Sequence, residues 1–417
     1  MNAEPFPAEG LPLEQARQRV LDAMQPLAGA ETLPLSSALG RVSAQAVRAT
    51  QAVPGFRASI MDGYAIGGDA APPEPGVRWQ LVGRSAPGAP FGAELAAGEA
   101  VRILTGAPVP AGGVRVLPQE LVAVEGESLA LTREVGVNPW IRAEDEEAAP
   151  GEVLLEAGMR LGPARLARLA SCGVAALAVR HRPRIGLLIS GDELTPVGEP
   201  RAPGAIWESN GTLLEALLAR LGYGAAERLV VADEPEALRR ALQQLADRCD
   251  VVVSTGGVSA GDADWIRPLV AELGEVGFWK LFLKPGRPFA FGHLQAGERR
   301  VPFFGLPGNP VAAAVTALQL LWPALQQLEG APVQLLPRLR LRLAAAVKRG
   351  AGRPELARAR LEVGPTGELL ARVEGSQASS RIGSLEQADL LLEIPAEFGA
   401  LEAGTELWAQ LLRLPLF

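Results

Sequence analysis

Between residues 184 and 328 the chain alternates continuous apolar runs with amphipathic stretches, and that alternation leaves few folds open. "RIGLLIS", "RLVVA" and "DVVVST" carry no polar face, so each reads as a strand covered on both sides. Between them, "SNGTLLEALLARLG" places Leu213, Leu214, Leu217, Leu218 and Leu221 on one stripe behind a Ser-Asn start. Further helices are expected from Pro235, from about Trp265 and from Pro310, and further strands at "FWKLFLK", "PFAFG" and "VPFFGL". Strand and helix in turn predict a doubly wound α/β unit, a parallel sheet with helices on both faces.

The flanks follow other patterns. Residues 12–27 set Ala16, Val20, Leu21, Met24 and Leu27 on one helical face. From about 48 to 147, short apolar pieces such as "VRWQLVGR" and "AVRILTG" alternate with Pro and Gly, which predicts a mostly β module. After 329 the period falls to two, in "RLRLRLAAAVKR", "ELARARLEV", "ELLARVEG", "DLLLEIP" and "TELWAQLL". Five short strands in that space predict a small β-barrel or sandwich.

Composition narrows the chemistry. A net charge of -7 gives no general basis for nucleic-acid or acidic-membrane binding, and neither partner is expected. Two cysteines and two histidines are too few for a disulfide framework or an imidazole-thiolate metal centre, so any metal would be a hard ion such as Mg²⁺ held by oxygen. The N-terminus carries acids and lacks an apolar core, unlike a signal peptide. "PVAAAVTALQLLWPALQQL" is read as too short, too polar and too broken at Pro323 to span a bilayer, and a cytoplasmic protein is expected.

Ligands of open α/β sheets bind outside the carboxyl ends of the strands, and the unusual residues fall there. Gly191-Asp192-Glu193 follows the first strand and Asp233-Glu234-Pro235 the second. "VVVSTGGVSAGDADW" opens the third end with Gly256, Gly257, Ser259, Asp262 and Asp264. Pro285-Gly286-Arg287 follows the fourth, with Lys284 at the boundary and Lys280 in the strand, and Pro307-Gly308-Asn309-Pro310 closes the fifth. Each piece has a bland alternative: Asp-Glu-Pro starts helices, the glycines serve turns, and the lysines can snorkel. Together, carboxylates beside a glycine loop can hold Mg²⁺ against phosphate oxygens, while the lysines hold a second anion. That suits phosphoanhydride cleavage coupled to oxyanion transfer; neither a Walker loop nor a G-x-G-x-x-G follows a strand.

"MDGYA", "RILTGAPVPAG", "ISGDEL", "STGGVSAGDADW", "FWKLFLKPGRPFAFG", "GLPGNPVAAAV" and "GSQASSRIGSLEQADLLLEIP" resemble, in order along nearly the whole chain, the molybdopterin molybdenumtransferases of the MoeA/gephyrin E-domain family. The resemblance implies four domains: an elongated N-terminal or linker domain (1–47 with 148–180), a β-rich domain (48–147), a MoaB/Mog-like α/β molybdopterin-binding domain (181–328) and a C-terminal barrel (329–417). It implies insertion of molybdate into adenylylated molybdopterin with release of AMP, assisted by Mg²⁺. The enzyme would be an elongated homodimer, supplied by a molybdopterin-adenylylating protein and serving molybdoenzyme maturation proteins.

Carried over by position, Asp62, Thr105 and Asp145 would line the cleft from the partner side, and Glu193, Asp233 and Asp264 from the α/β side. Asp145 is one of three adjacent acids, with Glu144 and Glu146, that could take that place. Asp233 and Asp264 would hold Mg²⁺; Lys284, Arg358 and Ser379 would hold molybdate; Lys280 and Thr105 would position the pterin phosphate. The loops at 256–259 and 307–310 would cradle substrate. The chain departs from the family pattern at Ala58-Ser59-Ile60 before "MDGYA", at Ala312 where many members have serine, and at Arg287 where lysine is frequent. A scaffold that has lost the chemistry and a nucleotide hydrolase sharing the α/β unit are the rival readings.

Overall fold

A computed structural model describes residues 10–257, 265–373 and 375–412. The first helix, α1 (Leu13–Ala23), stops short of the predicted residue 27, with Met24 turning out of it. Segment 30–34 pairs antiparallel with 176–180, so chain on both sides of the β module shares one core around Leu155, Leu161, Leu169 and Val179. The module itself is a six-stranded sheet: β1 (Gly63–Gly67), β2 (Arg78–Ser85), β3 (Glu99–Ile103), β4 (Gly113–Pro118), β5 (Val122–Glu125) and β6 (Ser128–Leu131). Its order is β4-β1-β3-β2-β6-β5. Helix α2 (Pro163–Ser171) follows.

The α/β unit comprises β7 (Ile185–Ser190), α3 (Asn210–Arg220), β8 (Ala225–Val231), α4 (Pro235–Arg248), β9 (Val251–Thr255), α5 (Ile266–Leu273), β10 (Gly274–Trp279), β11 (Ala290–Ala296), β12 (Arg299–Leu306), α6 (Pro310–Thr316) and α7 (Trp322–Leu328). The sheet order is β8-β7-β9-β12-β11-β10, and β8, β7, β9 and β12 are parallel as expected. The expectation of a wholly parallel sheet fails at β11, which runs antiparallel to both neighbours. Only Gly297-Glu298 separates β11 from β12, and so short a link can join only antiparallel strands. Side chains alternate between two cores. Leu187, Val253 and Phe304 meet α1, α3, α6 and α7, whereas Leu188, Val252 and Phe303 meet α4 and α5. Each fully buried phenylalanine contributes about 1.5–3 kcal/mol.

The run from Pro310 to Leu328 corrects two expectations. It is long and apolar enough to cross a membrane by length and composition, yet 94% of it is buried inside the protein. Nor does Pro323 break it. A π-helical turn over Ala317–Leu321 precedes the proline, which has no N–H to offer the Gln319 carbonyl four residues back. Arg17 of α1 donates to that carbonyl (3.1 Å) and to the Gln319 side-chain oxygen (2.9 Å).

The C-terminal strands β13 (Arg338–Leu343), β14 (Glu355–Val363), β15 (Leu369–Val373), β16 (Leu390–Ile394) and β17 (Glu406–Leu411) close into a barrel in the order β13-β15-β14-β16-β17. In "RLRLRL" Leu341 and Leu343 point inward, while Arg338 and Arg340 pair outside with Glu393 (2.6 Å) and Glu406 (2.8 Å).

Candidate active site

Backbone constraints build the cleft first. At the carboxyl ends of β7 and β9, Gly256 has φ +86°, and a Cβ there would lie 2.7 Å from the Ser190 carbonyl oxygen. The Gly308 backbone after β12 packs against Gly256. The ends of β7 and β9 thus approach so closely that position 256 takes only glycine, whereas a Cβ at Gly308 would meet Gly256 in ordinary contact. Gly256→Ala should therefore cost about 1–3 kcal/mol of stability and displace the loop, measurable as a lowered melting temperature with weakened substrate binding.

Acids gather beside these glycines. Glu193 folds back over Gly191, and the Asp192 carboxylate accepts the Asp233 N–H (3.0 Å), tying the β7 loop to the β8 loop. One oxygen of Asp233 is buried without a partner. Burial pushes the Asp233 carboxyl above the usual range; the charges of Asp192 and Glu193 add to this, and a hydrogen bond with Ser190 opposes it. Asp264 and Ser259 lie outside the described residues. Among the described residues no three His, Cys, Asp or Glu side chains converge on a metal-binding point.

Cationic groups come from two loops. Lys280 was expected within a strand; β10 instead ends at Trp279, and Lys280 turns out of it at φ +75°. Its N–H donates to the Phe289 carbonyl (2.8 Å) and its carbonyl accepts from Leu11 (3.1 Å), so the backbone is held while the ammonium has no ion pair among the described residues. The Lys284 ammonium sits 3.0 Å from the buried Glu355 carboxylate at the start of β14. Arg358, further along β14, is buried; its Nε donates to Ser384 (3.1 Å) and one Nη to the Ala378 carbonyl (3.1 Å). The other Nη is left without a partner. Ser379 accepts the Val311 N–H through its carbonyl (3.1 Å), joining this barrel loop to the start of α6.

The β module brings two further residues together. Asp62 accepts both the backbone N–H (2.7 Å) and the hydroxyl (2.9 Å) of Thr105. These bonds, with help from Arg102, hold its carboxyl below the usual range. Asp145 is exposed; next to it Glu146 is taken by Arg142 (3.1 Å) and Glu147 by Arg168 (3.0 Å). Among the described residues no hydrogen bond or ion pair joins residues 58–142 to 185–328 of the same chain.

Two residues escaped the sequence reading. Asn210 donates to the Gly308 carbonyl (2.7 Å) and keeps its own oxygen buried and unpartnered, pinning the α3 start to the loop after β12. In "SNG" it passed for an ordinary helix start. Glu355 carried no signal at all, because its partners are distant in sequence. Outside the strand ends, a 540 Å³ cavity lies between α1, Leu318 and the barrel residues Leu407 and Trp408, and a 690 Å³ groove beside His293 opens near the amino ends of the parallel strands.

The fold defines a modular α/β and β protein, with acids at the carboxyl edge of a doubly wound sheet and cations on an adjoining loop and barrel. Residues 11–173 match the MoeA N-terminal region (domains I and II), 186–327 a probable molybdopterin binding domain, and 340–412 the MoeA C-terminal region (domain IV). A molybdopterin molybdenumtransferase of Haemophilus influenzae is 32% identical over 396 residues, covering 94% of this chain and 96% of that one. A gephyrin of Dictyostelium discoideum is 29% identical, covering 90% of this chain and 58% of its own. The crystal structure of a molybdopterin biosynthesis MoeA protein from Pyrococcus horikoshii superposes with a TM-score of 0.79 at 26% identity, covering 96% and 99% of the two chains. The chain belongs to the MoeA family.

Proposed function

We propose that this chain is a molybdopterin molybdenumtransferase, which inserts molybdate into adenylylated molybdopterin and releases AMP in the synthesis of the molybdenum cofactor. Family membership supports the reaction. The unpartnered buried oxygen of Asp233, on a wall of carboxylates, supports an Mg²⁺ dependence. Asp233 and Asp264 would hold that ion, which when bound would neutralise charge on the pyrophosphate. Lys284, Arg358 and Ser379 receive the tetrahedral molybdate dianion, to which Arg358 offers a free N–H. Lys280 and Thr105 orient the pterin phosphate, and the glycine loops at 256–257 and 307–310 bring backbone close to it.

Asp62 and Thr105 form a preset pair that, among the described residues, bonds to nothing in their own α/β unit, and a homodimer would let this β module serve its partner. Asp145 would join them from the same module. An adenylylating protein supplies the substrate and maturation proteins take the product. Two buried, unpaired cysteines suit a cytoplasmic setting. The purified chain, given adenylylated molybdopterin and Mg²⁺, should release AMP when molybdate is added; release independent of molybdate, or none, would refute the assignment.

A further inference from the structure

Glu355 is a buried carboxylate shared by two cations. One oxygen lies 3.0 Å from the Lys284 ammonium and the other 3.3 Å from Arg349 Nε. Arg349 is itself buried and fixed from behind, donating to the carbonyls of Pro395 (3.0 Å) and Arg353 (3.0 Å). The Lys284 backbone is equally fixed: its N–H donates to the Pro354 carbonyl (2.9 Å) and its carbonyl accepts from Leu356 (2.8 Å). The Lys284 side chain, in contrast, is about half exposed, so the ammonium can leave Glu355 while the carboxylate cannot follow.

From this asymmetry we infer that Glu355 is a positioning residue that acts as a fixed counter-ion, weakening the grip of Lys284 on the incoming oxyanion. The inference rests on Lys284 being an anion-holding residue, as proposed above. Its functional sense is that a transferase must hand its oxyanion on: a lysine free of any counter-ion would store molybdate, whereas one already neutralised captures it loosely.

Magnitudes decide the direction. A dianion hydrogen-bonded to the far side of the ammonium lies about 6–7 Å from the Glu355 carboxylate. At an effective dielectric constant near 40, that repulsion is worth roughly fiftyfold in affinity. Freeing the lysine rotamers costs roughly fivefold. The charge effect wins, and Glu355→Gln should bind molybdate about tenfold more tightly.

Equilibrium dialysis or calorimetry of molybdate with the full-length protein tests this without turnover. Glu355→Gln should lower the molybdate Kd about tenfold, and in the assay lower both KM for molybdate and kcat as release slows. Structural damage cannot tighten a ligand, so tightening separates positioning from a merely structural role. In a Lys284→Ala background the repulsion remains and the rotamer cost is gone, so the same change should tighten the residual binding at least as much. Glu355→Asp keeps the charge near Arg349 and retracts it by about one bond length, which eases the repulsion only about twofold, so its molybdate Kd should stay within about threefold of the wild-type value. Wild-type binding with unchanged or weaker affinity in folded Glu355→Gln overturns the inference alone. Absence of molybdate binding to the wild type overturns the site reading with it.

Discussion

Asp233→Asn is expected to lower molybdate-dependent AMP release at least about a hundredfold while raising the melting temperature at neutral pH. The first effect follows from removing an ionisable oxygen that is buried and unpartnered at the carboxyl edge of the sheet. The second follows from the same environment. Because burial and the charges of Asp192 and Glu193 raise the folded-state pKa, the folded protein holds the proton to higher pH than the unfolded chain does. Stability therefore falls as pH rises from the unfolded value through the folded one, and above that window the ionised carboxylate stands as a penalty. Asparagine removes the charge, so the variant should be the more stable at neutral pH, with a flatter stability profile across the window. Melting curves over that range, paired with AMP release, provide the check. A variant both active and unchanged in stability would remove Asp233 from the site.

Glu329→Ala should destabilise the protein by about 2–4 kcal/mol, because two partly exposed arginines and the buried Tyr223 hydroxyl lose their anion. The Glu329 side chain is fully buried and accepts from Arg160 (2.7 Å) and from the Tyr223 hydroxyl (2.9 Å), with Arg182 at 4.0 Å. Burial raises the Tyr223 hydroxyl well above its ordinary pKa, so it remains a donor at any working pH. Arg160 also donates to the Gly40 carbonyl (2.7 Å), so one carboxylate joins the end of α7, the segment after α3 and the chain around residues 40 and 160. Glu329→Gln should recover roughly half of the loss, because hydrogen bonds survive and charge compensation does not. Urea denaturation of the three proteins gives the ranking, and equal midpoints would show the cluster to be inert.

The α/β unit was legible because strands buried on both faces carry continuous apolar runs, as residues 185–189 and 251–253 do. The barrel was legible because one face is wet, which prints period two in "RLRLRL". Features set by remote partners were hidden. The two-residue Gly297-Glu298 link is a local mark of the reversed β11 that the parallel reading passed over, whereas nothing local ends β10 at Trp279, since Lys280 is turned by bonds to Phe289 and Leu11. Pro323 signalled a break because the donor that replaces its missing N–H belongs to residue 17. For the site, the sequence placed acids, glycines and lysines at strand ends, where topology alone brings them together. It could not show that Asp62 and Thr105 bond to each other, that Asn210 reaches Gly308, or that Glu355 faces Lys284, for these depend on loop paths.

The contact between Arg17 and Gln319 spans 302 residues, nearly three quarters of the polypeptide. At synthesis rates of roughly 5–20 residues per second, the first helix leaves the ribosome about 15–60 s before the carbonyl it serves exists. During that interval the α6 and α7 residues that share a core with Val20 and Met24 do not yet exist, so that face of the helix must wait, solvated or chaperoned, until they have been made.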